Sequence, residues 1–362
     1  MNFACNLAIN SLSFGQTSIA ILREFYKRGL APSIFVIGNQ ADMGAQKVDN
    51  EFGMWLQSCI NKALKIHNRN IPIFKLWHLN QSIDSYSKKQ ALFTFHEVDQ
   101  LTDYEVNAIN NQEVTFVASN YTKEVFESYG AKNVKYCPLG FDDFNFRKLN
   151  KPYLGKDVIS WSIQGKLEAR KKTLKVINLW AKRFGNNKRH QLNCLIFNPF
   201  MRPEDQQNLI NQALGGQRVW NIIFHPFQQT NELVNDFING QQIDLSGLSG
   251  LEGFNLPLFQ SLCLGKWAVV LNAHVHKDYC TAENSILIEP TAMEPAHDGI
   301  FFHKGAQFNQ GNWFSIDDDA IVAGMEKAVE KAHSPNPAGE ALKEKFTYKN
   351  TVDIILNSLN EI

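Results

Sequence analysis

The 362-residue chain has no C-x-x-C pair, no surplus of either charge and no apolar run of membrane length. Its six cysteines, Cys5, Cys59, Cys137, Cys194, Cys263 and Cys280, are scattered, so neither a zinc site nor a disulfide framework is suggested and a reducing cytoplasm fits. Lys and Arg number 36, as do Asp and Glu. The resulting zero net charge argues against a generally basic nucleic-acid coat or membrane-surface protein. The N-terminus lacks the basic start, apolar run and small-residue cleavage site of a secretion signal, and reads as a first buried strand. The longest apolar runs, such as Trp267–Leu271, fall far short of the roughly 18 residues that cross a bilayer. The expectation is a soluble cytoplasmic protein with no transmembrane segment and no low-complexity tract.

What is present is apolar material for one large or two ordinary domains, with 44% hydrophobic residues. Charge is uneven: 15 basic against 14 acidic residues in 1–150, 12 against 2 in 151–203, and 9 against 20 thereafter. The stretch Cys137–Asp157 has two prolines, two glycines and no sustained period, and is read as an interdomain linker. Before it, β-rich runs at 3–9, 33–37, 73–77, 91–95, 114–119 and 134–137 alternate with amphipathic stretches, including 17–28 and 51–66. After it the alternation restarts, with strands at 158–163, 192–197, 219–224, 243–245, 267–271 and 285–288. Helices are expected at 173–184, 203–213, 232–239, 317–332 and 348–359. The pattern predicts an α/β fold of two successive doubly wound parallel sheets, with ligands bound beyond the C-terminal strand ends, between the domains.

Chemistry concentrates in a few segments. Glu252 and Gly253 lie in a loop leading into a helix near 256–264, and a glycine-containing loop at a helix N-terminus offers free amides and a positive dipole end to an anion. The plainer reading is a strand-loop-helix corner with Pro257 in the first turn. Lys166, Arg170, Lys171 and Lys172 follow the first strand after the linker, and by themselves read as a solvated basic helix start or a nucleic-acid patch. His274 and His276 form an H-x-H pair with no third ligand apparent. Asp317–Asp319 reads as helix capping rather than a metal-binding D-x-D. Ser119 and Thr122 read as capping groups too, since no serine-histidine-acid motif surrounds them. Ser13–Ser18 links strand to helix but is neither a Walker A nor a full G-x-G-x-x-G sequence.

Several of these segments together resemble the retaining GT-B glycosyltransferases of the family-4 type. Glu252-Gly253-Phe254-Asn255-Leu256-Pro257-Leu258-Phe259-Gln260-Ser261 is similar to the motif E-G-F-x-L-P-x-x-E-A, with Gln260 replacing the second glutamate. Ser162–Thr173 is similar to a strand followed by G-[RK]-L/F-x-x-x-K-G, with Lys172 replacing the glycine. Phe95–Leu101, Val117–Lys123, Pro138–Asp142, Asn272–Tyr279 and Glu283–Ser285 resemble the cleft edge, domain ending and downstream strand of that family. The resemblance covers most of the chain, and the order of the motifs carries it more than any one of them.

The resemblance implies two Rossmann-like domains facing across a cleft: 1–150 as the acceptor domain and 151–345 as the donor domain, with a last helix from about 346–362 packing back on the first. It implies transfer of a sugar from a nucleotide-sugar, UDP- or GDP-linked, with retention and without an essential metal or other cofactor. Lys166 and Lys171 would clamp the diphosphate, where leaving-group charge grows. Glu252 would contact the sugar, Gln260 the ribose, and His96 either the transferred sugar or the protein interior. Gly15, Gly165, Arg170, Gly253, Phe254, Asn255 and Leu256 complete the expected donor contacts. Gly15 would permit close backbone approach, or simply make a tight turn. The acceptor would be a glycan, glycolipid, protein or hydroxymethylated DNA base. Phe301–Gly305 and Phe308–Asn312 resemble phage-encoded relatives. The substitutions at 260 and 172 equally suit a nucleotide-sugar-binding or sugar-binding protein without turnover, and the basic 151–203 segment leaves a nucleic-acid module as a further alternative.

Overall fold

The computed structural model describes residues 2–38, 40–150, 154–155 and 157–362. Within the expected linker, residues 151–153 and 156 lie outside the described residues, as does Met1 of the expected N-terminal strand segment.

Alternating β-rich and amphipathic runs build a first six-stranded parallel sheet. Its strands are β1 (Ala4–Ala8), β2 (Ser33–Ile37), β3 (Ile73–Leu76), β4 (Gln90–Thr94), β5 (Val114–Val117) and β6 (Val134–Tyr136), in the order β2-β1-β3-β4-β5-β6. Strands β1, β3, β4 and β5 are buried along their whole lengths, as expected of parallel strands covered on both faces. Helices α1 (Ser13–Lys27), α2 (Asn50–Ile66), α3 (Asp103–Asn110) and α4 (Asn120–Ser128) intervene. Each of the last three starts on a side-chain cap: Asp49 for α2, Thr102 with Glu105 in a capping box for α3, and Ser119 for α4. The short α3 has no expected counterpart, because only its cap marks it locally. Helix α1 begins at Ser13 rather than near Thr17, so Gly15 lies in its first turn and not in a loop.

The second six-stranded parallel sheet has β7 (Ile159–Gly165), β8 (His190–Ile196), β9 (Ile222–Phe224), β10 (Ile243–Asp244), β11 (Trp267–Leu271) and β12 (Ile286–Ile288), in the order β12-β11-β10-β7-β8-β9. Between and after these strands lie α5 (Thr173–Phe184), α6 (Pro203–Ala213), α7 (Asn231–Asn239) and α8 (Leu256–Cys263). A short antiparallel hairpin that periodicity did not signal, β13 (Ala292–Pro295) and β14 (Asn312–Ser315), follows. The chain ends with α9 (Asp318–Lys331), α10 (Pro337–Glu340), α11 (Leu342–Lys345) and α12 (Tyr348–Glu361). Asp317 caps α9 through the amides of Asp319 and Ala320, as capping rather than metal binding requires.

Three devices tie the two sheets together. Helix α12 lies against α1, with the Arg28 guanidinium 2.6 Å from Asp353 and Phe141 bridged to Thr347. A Cβ on Gly140 would fall 2.0 Å from the Tyr348 nitrogen, so the returning segment passes directly over the first residues after β6. Along α7, Asn235 and Asn239 accept from the amides of Arg147 and Leu149 at 2.9 and 2.7 Å, fixing the linker on one helix face. The loop between β13 and β14 reaches back as well: Asp99 accepts from the Asn312 amide at 2.7 Å, and Glu105 from the Asn309 amide at 2.8 Å. Val98, Leu251, Ala296, Phe302 and Trp313 form a small buried cluster beside these bonds. All six cysteines are buried and unpaired. No helix among the described residues is long and apolar enough to cross a membrane.

Candidate functional site

The C-terminal ends of strands from both sheets meet around a buried network of carboxylates and cations. Strand β7 ends at Gly165, whose φ of 120° suits glycine and over which the Lys171 side chain lies. A single 3-10 turn, Ala169–Lys171, then brings Arg170 and Lys171 back toward the loop before α8. Glu252, 5% exposed, receives Lys171 Nζ at 2.5 Å and Arg170 Nη1 at 3.1 Å. The Arg170 Nε also meets Glu168 at 2.9 Å and, from the first sheet, Glu97 at 3.3 Å. Lys166 Nζ lies 2.9 Å from Glu168 and 5.7 Å from the Phe200 ring centroid.

These contacts decide the ionisation states. Burial opposes the charge of Glu252, but Lys171 and Arg170 outweigh it and hold the carboxyl well below the usual range. Glu168 is lowered for the same reason, against burial, by Arg170, Lys166 and Lys171. Burial also opposes the Arg170 charge, yet Glu97, Glu252 and Glu168 together raise its pKa. Glu97 is raised, by burial first and by the nearby Glu252 and Glu168 charges, against the pull of Arg170.

A carboxyl depressed by folding adds stability above its unfolded pKa of about 4.3, and that share is lost as pH falls through the folded value. Glu252 and Glu168 therefore make the fold lose stability from about pH 5 downward, while Glu97, raised by folding, works in the opposite sense. Urea midpoints measured between pH 7 and pH 3 should fall less steeply for Glu168→Gln than for the wild type. An identical slope would mean that Glu168 is solvated and unpaired.

The loop into α8 supplies a second feature. The amides of Gly253, Phe254, Asn255 and Leu256 donate to no protein acceptor among the described residues, and they stand in succession at the start of the helix. A Cβ on Gly253 would lie 2.8 Å from the Cβ of Phe95, so glycine is what lets this loop touch the first sheet. Phe95 in turn packs edge-on to Phe14 at 5.1 Å, and Phe14 lies 4.4 Å from the His78 ring. His78 is exposed, yet the protein around its ring, then the Lys166 charge, lowers its pKa to about 4.

The expected residues thus separate into groups. Glu252, Lys171, Arg170, Gly165 and Gly253 are brought together, with Lys166 at their margin. Arg170 is consumed by three carboxylates and a bond to the Leu251 carbonyl, so it organises the network rather than facing outward. Lys172, at φ 53°, occupies a left-handed turn that glycine would adopt without strain, and its ammonium goes to Glu294 at 2.6 Å. Phe254 and Leu256 turn to the core; Phe254 is buried against Phe259 and Tyr279. Gln260 is half-buried, and its side chain bonds no protein group among the described residues.

Gly15 lets the first turn of α1 pack against the loop that precedes it: a Cβ there would fall 2.2 Å from the Asn10 carbonyl oxygen. His96 is 2% exposed and faces the first domain's interior. Its Nε2 bonds the Gln100 carbonyl at 3.0 Å, and its ring lies against Phe126 and 3.8 Å from Glu105. The residue gathered at the network is the next one, Glu97. Sequence reasoning also missed Glu168, whose place between Lys166 and Arg170 was the available signal, and His78, which had none. Among the described residues no group of three or more side chains suited to a metal ion occurs.

No protein-family model and no curated protein matches this sequence. Solved structures do match its fold. Sucrose-phosphate synthase from Thermosynechococcus elongatus superposes with a TM-score of 0.69 at 10% identity, over 100% of this chain and 98% of that one. Anabaena HepE, solved in complex with UDP-glucose, gives 0.69 at 10% identity over the full length of both chains. The lipopolysaccharide outer core galactosyltransferase WaaB, in its apo form, gives 0.62 at 13% identity over 100% of this chain and 99% of that one. The chain has the two-domain α/β architecture of GT-B glycosyltransferases.

Proposed function

We propose that this protein is a glycosyltransferase that binds a nucleotide-sugar where the two sheets meet and passes the sugar to an acceptor hydroxyl. The observation that carries this reading is the run of four amides at the N-terminus of α8 that have no protein acceptor among the described residues, placed beside the Glu252–Lys171 pair. Free amides and a helix dipole suit a diphosphate, and Lys166 and Lys171 add fixed positive charge. The fold shared with HepE, which was solved with UDP-glucose, favours a UDP-sugar donor, with a GDP-sugar as the other candidate.

In this reading the bond between the anomeric carbon and the diphosphate oxygen breaks, and a new bond to the acceptor oxygen forms on the same face. The acceptor proton passes to the departing phosphate oxygen. As negative charge grows on the leaving diphosphate, Lys166, Lys171 and the amides stabilise it without reorganising. Glu252 releases part of its hold on Lys171 to the phosphate and takes a sugar hydroxyl, Gln260 hydrogen-bonds the ribose, and no side chain is asked to form a covalent bond. Retention, independence of metal and a cytoplasmic setting belong to the same proposal. The acceptor, a glycan, glycolipid or modified DNA base, would approach from the first sheet, on the side of Phe14, His78 and Glu97.

A calorimetric panel of nucleotide-sugars, with and without a chelator, tests this directly. One nucleotide-sugar should bind at micromolar strength and be slowly hydrolysed whether or not the chelator is present. Failure to bind any nucleotide or nucleotide-sugar would overturn the donor site. Binding without hydrolysis or transfer would leave a sugar-nucleotide-binding protein.

A further inference from the structure

The loop that enters α8 turns on a residue that is not glycine. Asn255 sits at φ 66° and ψ 64°, a left-handed conformation that asparagine tolerates better than most side chains. It is buried, and its carboxamide is held twice: Nδ2 lies 2.9 Å from the Ser246 carbonyl and 3.0 Å from His276 Nε2. A carbonyl only accepts, so the amide nitrogen must face Ser246, and the same NH2 then donates to His276. His276 Nε2 therefore carries no proton. Its Nδ1–H donates to the Leu271 carbonyl at 3.0 Å, which makes the ring a neutral Nδ1–H tautomer.

The ring has no exposure, and burial together with the adjacent His274 pushes its pKa well below the usual value, consistent with neutrality. One strut thus runs from the end of β11, through His276, to the residue that sets the direction of α8. Among the described residues the Asn255 Oδ1 is buried without a partner, so the nitrogen's two bonds, not the oxygen, fix this orientation.

We propose that His276 is a positioning residue: by gripping Asn255 it holds the left-handed turn that presents the Gly253–Leu256 amides, and so sets affinity for the diphosphate of a nucleotide-sugar. This rests on the donor-site reading above. Nothing in the H-x-H pair need bind metal, since each ring is engaged by protein carbonyls, His274 with Ser249 and His276 with Leu271.

The test is a double-mutant cycle read by UDP-glucose and UDP binding. His276→Leu, similar in bulk but without hydrogen bonds, should weaken UDP-glucose binding about tenfold. Asn255→Gly can hold the same φ unaided, so in that background His276→Leu should change binding by less than about twofold. His276→Gln, which keeps an acceptor for the Asn255 amide, should recover part of the loss. Equal losses in both backgrounds would overturn the strut while leaving the donor site standing. A wild type that binds neither UDP nor UDP-glucose would instead remove the donor site, and with it the role of His276 in affinity. Independently of any ligand, nitrogen NMR of the wild type at neutral pH should show His276 protonated at Nδ1 alone; a proton on Nε2 would overturn the strut.

Discussion

Replacing Glu252 by glutamine is expected to lower nucleotide-sugar hydrolysis or transfer by about 100-fold or more, the scale seen when one preorganised electrostatic contact is removed. The carboxylate does two things that an amide cannot. It neutralises Lys171 at 2.5 Å and Arg170 at 3.1 Å, and in the proposed reaction it offers a charged acceptor to a sugar hydroxyl as the phosphate takes Lys171. Glutamine has nearly the same shape but gives up the charge that pairs Lys171 and Arg170, so the variant should lose part of its stability at pH 7 while still unfolding in one cooperative urea transition, and turnover is compared where both proteins are folded. Its donor affinity should change less than its turnover, because the lost interaction is strongest as charge separates. Turnover within about threefold of wild type would remove Glu252 from the reaction, whatever the fold resembles.

Arg170→Met should produce the largest loss of stability, roughly 3–5 kcal/mol, the range for breaking a buried ion pair by removing one partner. Glu97, Glu168 and Glu252 all approach this one guanidinium, and without it three carboxylates would share a buried space with only Lys166 and Lys171 nearby. Arg170→Lys should not rescue the loss. A single ammonium cannot reproduce the separate Nε and Nη1 contacts, nor the bond to the Leu251 carbonyl at 2.8 Å. Because Glu97 belongs to the first sheet and Arg170 to the second, the variant should also weaken the coupling of the two halves, visible as a second unfolding transition. A loss below about 1 kcal/mol would place the network in water rather than in the protein.

The sheets were legible because parallel strands covered on both faces are short and largely apolar, while the intervening helices show a period of 3.6. The hairpin β13–β14 escaped notice because its exposed Ala292–Pro295 strand has no buried face to impose a pattern. In the site, Glu252, Lys166 and Lys171 stood out through their place in ordered segments. Glu97 did not: its significance is a 3.3 Å contact with a residue 73 positions further along the chain. His96 was the more conspicuous neighbour, and only packing against Phe126 and the bond to Gln100 show that it turns inward. Gly15 was noticed for its residue type, and the close approach that the fold shows for it is to the Asn10 carbonyl of the loop before α1.

By itself, then, the sequence determined the class of fold, the alternation of elements and the segments in which charge and glycine accumulate, since all of these depend on short-range periodicity and local backbone preference. The tertiary structure alone decided which cation meets which carboxylate, which histidine ring is neutral and why Asn255 is tolerated at a positive φ. Those outcomes depend on burial and on contacts between chain segments far apart in sequence, which carry no local signature.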